Sequence, residues 1–394
     1  MNYLIINHYA TTPEYNGGTR HYDMAKELVK LGHQVSIISS SFNHFTKTET
    51  KVFENNDVIE EDIDGIHFYW VRTPPYNNSF ARISNMISFY LRSSRFFNRN
   101  KLLIHPDIVI GSTVHLLAAQ LGVKLAKKYN AKFYFEERDF WPQTFVDFGK
   151  ITKNNPVAKI LYKYEEYFYK KADKIIVLFP KADQYIISRG IDKEKIIYLP
   201  NGYSNIDKEP LENQEISKIQ AAISVTYIGS MGLANNIEDI IDFAHLCRDL
   251  PIKFILIGDG SKKVSLLKKV EDLNIDNVFF FDSIRKNQVQ TALEHTTFSI
   301  ISIKDSPLYK YGFSMNKIFD YLNAEKPIIM ITSKELAHEF ETEGIIINSN
   351  LIELKKELVN YLNDVNLYHK DIKNLRNFKE KYNWSIQVEK LIEK

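Results

Sequence analysis

Short apolar runs alternate with amphipathic, helix-like stretches along most of the chain, and this alternation constrains the fold more than any other feature. Residues 3–6 form the first apolar run, residues 17–31 have helical spacing, and residues 35–39 form the next run. Strands that alternate with helices predict parallel, doubly wound sheets. Further strands are predicted at residues 66–71, 108–110, 132–135, 174–178, 224–228, 253–257, 278–281, 298–302 and 327–331.

The alternation pauses after Asn201 and then restarts, which predicts two domains. Residues 201–220 have the composition of a linker, and 394 residues are too many for one ordinary core. We therefore predict an α/β protein of two Rossmann-like, doubly wound domains, residues 1–205 and 206–370, that face each other across a cleft. Residues 371–394 form a helical tail that can pack back on the first domain. Open α/β sheets bind ligands at the carboxyl ends of their strands.

Composition and charge exclude several classes of protein. A formal net charge of +2 gives no argument for a nucleic-acid partner. Cys247 is the only cysteine, which excludes a disulfide framework and a cysteine metal site. No cluster has metal-ligand spacing, so neither a metal nor another cofactor is expected. No run approaches the roughly 18–20 apolar residues of a membrane span. The first residues lack a basic leader, so we expect a cytoplasmic protein that can lie on a membrane surface.

Residues 313–330 predict a short helix that starts at a phosphate. Ser314 is a suitable N-cap, and Lys317 lies in the first turn, where a cation opposes the helix dipole. The conflict disappears if an anion binds the N–H groups between Ser314 and Asn316 and Lys317 neutralises it. Asp320 lies one turn later on the same face, where a carboxylate suits vicinal hydroxyls. The alternative is a surface helix with a Lys317–Asp320 ion pair.

Three other loops of the second half follow strands and carry glycines or donor groups. The loops that start at Gly229 and Gly258 place small residues at the edge of the sheet, and the loop that starts at Ser283 offers backbone groups that can hold a base. Lys262 can instead be solvated, and Arg285 can be an ordinary surface residue. The residues expected to contact the nucleotide are Gly229, Ser230, Gly260, Lys262, Ser283, Ile284 and Arg285.

The loop after the first strand carries Gly17 and Gly18, followed by Arg20. Two glycines allow the backbone to approach a ligand, and a helix that starts there adds free donors. Arg20 can add a fixed positive charge. A tight turn without a ligand is the alternative.

Four consecutive charged residues, 136–139, follow the predicted strand 132–135. Charged groups after a buried strand are costly to place unless they face a polar cleft. Asp139 is therefore predicted as the active-site carboxylate on the acceptor side, with a loop ion pair to Arg138 as the alternative. His115 is a further catalytic candidate, although a lone loop histidine is more often structural.

Residues 80–103 combine cations with apolar residues at helical spacing, and residues 65–106 contain no acidic residue. Residues 162–174 repeat the pattern with tyrosines and lysines. A cationic rim around an apolar face is typical of a helix that lies on anionic lipid. The alternative is a core-packed helix with a solvated basic face. The cations of the first segment are Arg82, Arg92, Arg95, Arg99 and Lys101.

The chain resembles GT-B glycosyltransferases of family 4 over essentially its whole length, with the closest similarity to bacterial surface-polysaccharide enzymes that use undecaprenyl-linked acceptors. The motifs that carry the resemblance are Gly17-Gly18 with Arg20, the sequence Arg-Asp-Phe-Trp-Pro at residues 138–142, and Asn-Lys-Ile-Phe-Asp-Tyr at residues 316–321 with Lys-Pro at 326–327.

That resemblance implies retaining, metal-independent transfer from a nucleotide-diphosphate sugar to a polyprenyl-diphosphate-linked saccharide. The donor would be a UDP-sugar, with N-acetylated hexosamines among the candidates. It also implies that Asp139 lies at the sugar, that Lys317 contacts the donor diphosphate and that Asp320 binds the ribose. The enzyme would then associate peripherally with the inner leaflet of the cell membrane.

The chain departs from the family pattern at two places. Gly312 stands where many members have a glutamate, and residues 229–236 lack the Arg/Lys pair that many members carry. Two other functions remain open at this point. A nucleotide-sugar epimerase would turn over the donor without an acceptor, but the basic, aromatic segment argues against it. A non-catalytic, membrane-docking nucleotide-binding module is opposed by the charged residues 136–139.

Overall fold

A computed structural model describes residues 1–100, 102–147, 149–205, 207–232 and 235–392. The chain divides into two compact units. Unit 1 contains Met1–Asn201 together with the chain from Trp384 onward, and unit 2 is Gly202–Asn383. The predicted boundary at residue 371 falls inside a helix of unit 2, and Ile206, at the other predicted boundary, lies outside the described residues.

Within the described residues, unit 1 carries an eight-stranded sheet in the order β3-β4-β2-β1-β5-β6-β7-β8. Its strands are parallel except for the β3–β4 hairpin at one edge. The central strands are buried on both faces, as parallel strands covered by helices must be. The strands are β1 (Asn2–Ile6), β2 (Gln34–Ser40), β3 (Val58–Ile63), β4 (Ile66–Val71), β5 (Ile108–Ser112), β6 (Lys132–Glu137), β7 (Lys174–Val177) and β8 (Ile196–Tyr198).

Unit 2 carries a six-stranded parallel sheet in its described part, in the order β11-β10-β9-β12-β13-β14. The order reverses at β9, so the loops after β9, β10 and β11 leave neighbouring carboxyl ends of the sheet. The strands are β9 (Ser224–Ile228), β10 (Lys253–Ile257), β11 (Val278–Phe281), β12 (Phe298–Ser302), β13 (Ile328–Ile331) and β14 (Ile345–Ile347).

Helices cover both sheets. In unit 1, α2 and α5 both pack against α3, whereas α1 packs against α14. Trp384, Val388 and Leu391 are buried in the core of unit 1 together with Leu28 of α1. The helices are α1 (Arg20–Lys30), α2 (Ser79–Arg99), α3 (Leu116–Tyr129), α4 (Gln143–Asp147), α5 (Pro156–Lys171), α6 (Ala182–Ser188), α7 (Gln214–Gln220), α8 (Ile237–Leu246), α9 (Lys263–Asp272), α10 (Val289–Glu294), α11 (Asn316–Asn323), α12 (Leu351–Asn363), α13 (Val365–Lys379) and α14 (Trp384–Gln387).

The predicted fold class is confirmed, and the differences are local. Helix α1 begins three residues after Gly17, and β6 continues through Glu137. The predicted linker contains helix α7. Short edge strands β3, β8 and β14 were missed, because runs of three to six residues give little periodic signal. In the described part of the chain, no helix combines the length and the hydropathy that crossing a membrane requires.

Candidate active site

Lys317 is the central cation of unit 2. Its ammonium donates to the hydroxyl of Tyr227 at 2.9 Å and to the side-chain oxygen of Asn235. No carboxylate of the described residues lies within salt-bridge distance of it. Burial alone lowers the pKa of Lys317 to about 7. A desolvated ammonium without a carboxylate partner is costly, and an anionic ligand would offset that cost.

Lys317 lies directly against the loop that follows β9. A side chain at Gly229 would meet the Lys317 Cε at 3.1 Å, and Gly229 has a φ of +155°. The hydroxyl of Tyr227 donates to the carbonyl of Ser230 at 2.7 Å. Both the backbone conformation and the close approach of the lysine therefore favour glycine at position 229, and Tyr227 connects the lysine to the loop.

The loops after β9 and β10 interlock. The Met231 amide donates to the Asp259 carbonyl at 2.8 Å, and the Lys262 amide donates to the Met231 carbonyl at 3.0 Å. A side chain at Gly260 would meet Met231 backbone atoms at 2.5 Å. Gly229, Ser230 and Gly260 are thus brought together with Lys317, as the sequence predicted for neighbouring loops.

Asp320 and Lys317 do not pair, so the alternative of a surface Lys–Asp pair is wrong. Asp320 instead forms an ion pair with Lys286, which follows β11, and both side chains are largely buried. Gln290 donates to the Asp320 carbonyl at 3.0 Å. The Asp320 carboxylate is therefore oriented by Lys286, which lies outside α11.

The N-cap prediction for Ser314 is wrong. Helix α11 begins at Asn316, and Met315 occupies the N-cap position without a capping side-chain hydrogen bond. Phe313 is buried and stacks on Phe340 with ring centroids 5.5 Å apart, and the backbone at Met315 is extended.

Two predicted nucleotide contacts have protein partners instead. The ammonium of Lys262 lies 3.4 Å from a carboxylate oxygen of Glu238. The guanidinium of Arg285 contacts Glu212 at 2.8 Å and Glu209 at 3.2 Å, which ties it to the segment before α7. Ser283 is exposed with its amide near Asp259 at 3.4 Å, and Ile284 packs against the core of unit 2.

In unit 1, two of the four charged residues at 136–139 belong to β6 and are buried, so the prediction of a four-residue charged loop is wrong. Glu136 accepts from Arg20 at 2.8 Å and from His21 at 2.7 Å. Burial favours the protonated form of Glu136, but His21 and Arg20 outweigh it and hold the pKa well below its usual range. Glu137 faces Tyr169 instead, and burial and Glu165 raise its pKa well above its usual range.

Asp139 lies in the loop just beyond β6, with its side chain in contact with solvent. Surrounding protein nevertheless displaces enough water to raise the pKa of Asp139 to about 6, and Arg138 acts in the opposite direction. The Arg138 amide donates to the Thr113 hydroxyl at 3.0 Å, which fixes the loop to the end of β5. Asp139 is thus a carboxylate that titrates close to neutral pH.

Arg20 does not present a free charge. It is buried, and four of its five donors reach acceptors: Glu136, the Leu199 and Pro200 carbonyls, and the side chain of Asn201. Its guanidinium carbon also lies 5.0 Å from the Trp384 ring centroid. The expectation that Arg20 faces a phosphate is therefore corrected: Arg20 links α1 to β6 and to the segment that follows β8.

The glycine pair before α1 has a packing role in this structure. Gly17 has a φ of +139°, and a side chain there would meet Phe45 at 3.0 Å and Thr11 at 3.2 Å. Gly18 is half-buried in the same loop. The tight-turn alternative therefore accounts for Gly17 without a ligand.

His115 caps helix α3 rather than presenting a free nitrogen. Its Nδ1 accepts from the Ala118 amide at 3.3 Å, and its Nε2 lies 2.7 Å from Nδ1 of His8. Because Nδ1 accepts, a neutral His115 carries its proton on Nε2 and donates to His8. Burial, and then Arg82, lower the pKa of His115 to about 3.

Fewer cations of α2 are free of protein partners than the sequence predicted. Arg92 pairs with Asp57 at 3.2 Å and donates to the Arg72 carbonyl, and Arg82 donates to Tyr9. Arg95 and Arg99 are exposed, and Lys101 lies outside the described residues. Apolar residues are exposed in one stripe on α2 and in another on α5: Phe80, Ile83, Ile87 and Leu91, then Val157, Ile160, Tyr164 and Tyr167.

Sequence analysis missed Tyr227, Asn235 and Lys286. Tyr227 stands inside an apolar strand and resembles a core residue, and Lys286 resembles any loop lysine. Only the fold shows that they contact Lys317 and Asp320. No three His, Cys, Asp or Glu side chains of the described residues are grouped so as to hold a metal ion.

Comparisons with known proteins agree with this architecture. The family model described as Glycosyltransferase Family 4 matches residues 15–204. A putative colanic acid biosynthesis glycosyl transferase, WcaI, of Escherichia coli K12 is 24% identical over 285 residues, covering 68% of this chain and 69% of its own. The probable glycosyltransferase WbjE of Pseudomonas aeruginosa is 18% identical over 300 residues, covering 74% of each chain.

Solved structures share the fold across the chain. Sucrose-phosphate synthase from Thermosynechococcus elongatus superposes with a TM-score of 0.72 at 14% identity, covering 99% of this chain and 97% of its own. HepE from Anabaena, solved with UDP-glucose, gives 0.66 at 12% identity, covering 99% and 98%. Residues 15–204 thus match the model of glycosyltransferase family 4, and the chain is a glycosyltransferase with the GT-B fold.

Proposed function

We propose that this enzyme transfers a sugar from a nucleotide-diphosphate donor to a polyprenyl-diphosphate-linked saccharide at a membrane surface, with retention at the anomeric carbon. Unit 2 binds the donor, and unit 1 supplies Asp139 on the acceptor side. The proposal places the reaction in the synthesis of a surface polysaccharide, and the Escherichia coli relative is named for colanic acid biosynthesis.

The observation that carries the donor assignment is the environment of Lys317. Its ammonium is partly desolvated, is oriented by Tyr227 and Asn235, and lacks a carboxylate partner among the described residues. It lies in the first turn of α11 and against Gly229, where a diphosphate can also accept from backbone N–H groups. Positive charge placed in advance at a departing diphosphate stabilises the transition state.

Asp320 is proposed to bind the ribose. One of its carboxylate oxygens pairs with Lys286, which fixes the orientation of the group, and the other can accept from a sugar hydroxyl. UDP is the proposed nucleotide, and HepE, whose fold is similar, was solved with UDP-glucose.

The membrane assignment is supported by the two exposed stripes of unit 1. Phe80, Ile83, Ile87 and Leu91 follow helical spacing along α2. Val157, Ile160, Tyr164 and Tyr167 do the same along α5, and both helices pack against α3. Exposed apolar side chains flanked by Arg95 and Arg99 suit an anionic lipid surface.

Calorimetric titration with UDP, GDP, ADP and dTDP, followed by UDP-glucose and UDP-N-acetylglucosamine, tests the donor. Transfer from a radiolabelled donor to a polyprenyl-diphosphate-linked sugar in vesicles, with the product analysed by NMR, then tests the reaction. We expect UDP to bind and the new bond to keep the donor's anomeric configuration, with and without EDTA. Conversion of the donor to an epimer in the absence of acceptor would identify an epimerase instead.

A further inference from the structure

Three segments of unit 1 meet at one end of α2 and form a cluster of aromatic rings and cations. Tyr9 follows β1, His44 and Lys47 follow β2, and Tyr76 and Arg82 flank the start of α2. A cavity lined in part by Tyr9 and His44 adjoins the cluster. None of the residues proposed above to bind the donor belongs to this cluster, and neither does Asp139.

The contacts within this aromatic–cation cluster are continuous. Tyr9 stacks on His44 with ring centroids 4.8 Å apart, and His44 in turn contacts the Tyr76 hydroxyl. The Arg82 Nε donates to the Tyr9 hydroxyl at 3.1 Å. The Lys47 ammonium lies 4.3 Å from the Tyr76 ring centroid and 3.3 Å from His44 Nδ1.

The two cations are not neutralised. Within the described residues, neither Arg82 nor Lys47 has a carboxylate within salt-bridge distance, whereas Arg92 on the same helix pairs with Asp57. Helix α2 also lacks an acidic residue in its first turn, where the helix dipole favours one. Burial, then Lys47 and Arg82, lower the pKa of His44 to about 4, so this imidazole adds no charge at neutral pH.

The Lys47 backbone is also unusual. Its φ is +58°, in the left-handed region that a non-glycine residue seldom adopts. The loop holds it there: the Lys47 amide donates to the Asn43 carbonyl at 3.0 Å, and the Asn43 side chain accepts from the Phe45 amide at 2.8 Å. Strained positions that a loop maintains are often functional.

Apolar side chains border the cations. Phe45 is 56% exposed, and Phe80, in the first turn of α2, is 86% exposed. Ile83 and Ile87 continue from Phe80 along the exposed stripe of α2. An anion held by Arg82 and Lys47 would therefore have an apolar path beside it.

We propose that the aromatic–cation cluster binds the diphosphate of the polyprenyl-linked acceptor, with Arg82 and Lys47 as its cations and with the isoprenoid chain running past Phe80 along α2. This inference rests on the proposed lipid-linked acceptor. Guanidinium and ammonium groups form strong, charge-assisted hydrogen bonds with phosphate oxygens. A phospholipid headgroup shares that chemistry, so the experiment must separate the two.

The test uses farnesyl diphosphate as the ligand and calorimetry or tyrosine and tryptophan fluorescence as the readout. We expect the wild-type protein to bind it more tightly than farnesol or inorganic pyrophosphate. Arg82→Gln with Lys47→Gln should weaken binding by about 10- to 100-fold, as expected when charge-assisted hydrogen bonds are lost. Lys47→Gln alone, at an exposed position, should give part of the loss even if the double variant misfolds. The matched control replaces two exposed lysines elsewhere in unit 1, Lys127→Gln with Lys193→Gln, and should change nothing.

Two further measurements separate the possible failures. UDP binding reports on unit 2 and should be the same in all variants. If UDP binds but farnesyl diphosphate binding is unaffected by Arg82→Gln and Lys47→Gln, this inference is wrong and the proposed function stands. If these variants lose only binding to phosphatidylglycerol vesicles, the cluster is a headgroup site and the inference is also wrong. If no nucleotide binds the wild-type protein, the proposed function itself fails.

Discussion

The Lys317 ammonium lies 2.9 Å from the Tyr227 hydroxyl oxygen and 4.7 Å from the centroid of the same ring. Tyr227 belongs to β9, and its hydroxyl donates a hydrogen bond to the Ser230 carbonyl. A single aromatic residue therefore contacts both the cation and the glycine loop of the proposed donor site. Residues 229–236 carry no Lys or Arg of their own, and Lys317 places positive charge against Gly229.

Lys317→Met should weaken UDP binding by about 1.5–3 kcal/mol, the range for hydrogen bonds to charged groups, and should leave the fold intact. Tyr227→Phe should weaken it less, because the ring remains while the hydroxyl that orients the lysine is lost. Calorimetry with UDP measures both. The control is Lys268→Met, an exposed lysine of α9. Unchanged UDP affinity in Lys317→Met would remove this lysine from the site.

Donor binding should also depend on pH. Burial lowers the pKa of Lys317 to about 7, so the free protein loses this proton as the pH rises above 7. A bound diphosphate favours the charged form, so binding should take up a proton, and UDP affinity should fall between about pH 7 and pH 9. Calorimetry in two buffers of different ionisation enthalpy measures the uptake. Lys317→Met should abolish it, and uptake that persists would point to another group.

The sequence predicted the two sheets well because their buried strands are short, mostly apolar runs, such as residues 66–71 and 298–302. The sequence also predicted that Gly229, Gly260 and Lys317 lie at one edge of the second sheet, because parallel strands place the loops that follow them at the same edge. The ion-pair partners of the charged side chains were not predictable. Asp320 pairs with Lys286, 34 positions away, and Arg20 with Glu136, 116 positions away. Such contacts depend on packing that no local pattern records.

Asp139→Asn should reduce transfer far more than it reduces UDP affinity, because Asp139 belongs to unit 1. Surrounding protein raises the pKa of Asp139 to about 6, so a group that acts as the carboxylate should give a rate that rises with pH through about 6. Transfer rates from pH 5 to pH 8 measure this, and the rise of the rate with pH should be absent in Asp139→Asn. If UDP affinity falls as much as the rate, Asp139 contacts the nucleotide instead.

Glu136 and Glu137 should respond to substitution in opposite ways. Glu136→Gln leaves buried Arg20 without its counter-charge and should cost about 3–5 kcal/mol at neutral pH. The low pKa of Glu136 stabilises the fold above the usual glutamate range, and that contribution is lost as the pH falls through it.

Glu137 has a raised pKa, so its protonated form is favoured and stability is lost as the pH rises through that pKa. Glu137→Gln should therefore be nearly neutral at pH 6 and stabilising relative to wild type at pH 9. Urea unfolding at pH 6, 7 and 9 measures both variants. Equal destabilisation by the two changes at every pH would contradict the different environments of the neighbouring glutamates.

The protein should sediment with vesicles that contain phosphatidylglycerol and should be released by salt. Ile83→Ser with Ile87→Ser and Leu91→Ser should reduce sedimentation, because these side chains are exposed and their loss removes apolar area without opening the core. Arg95→Glu with Arg99→Glu should reduce it too, since each basic residue near the surface contributes about 1 kcal/mol. The control is Ile352→Ser with Val365→Ser, two exposed apolar residues of unit 2. Equal sedimentation of the α2 variants and this control would show that α2 does not contact the lipid, and the proposed membrane-linked acceptor would lose its main support.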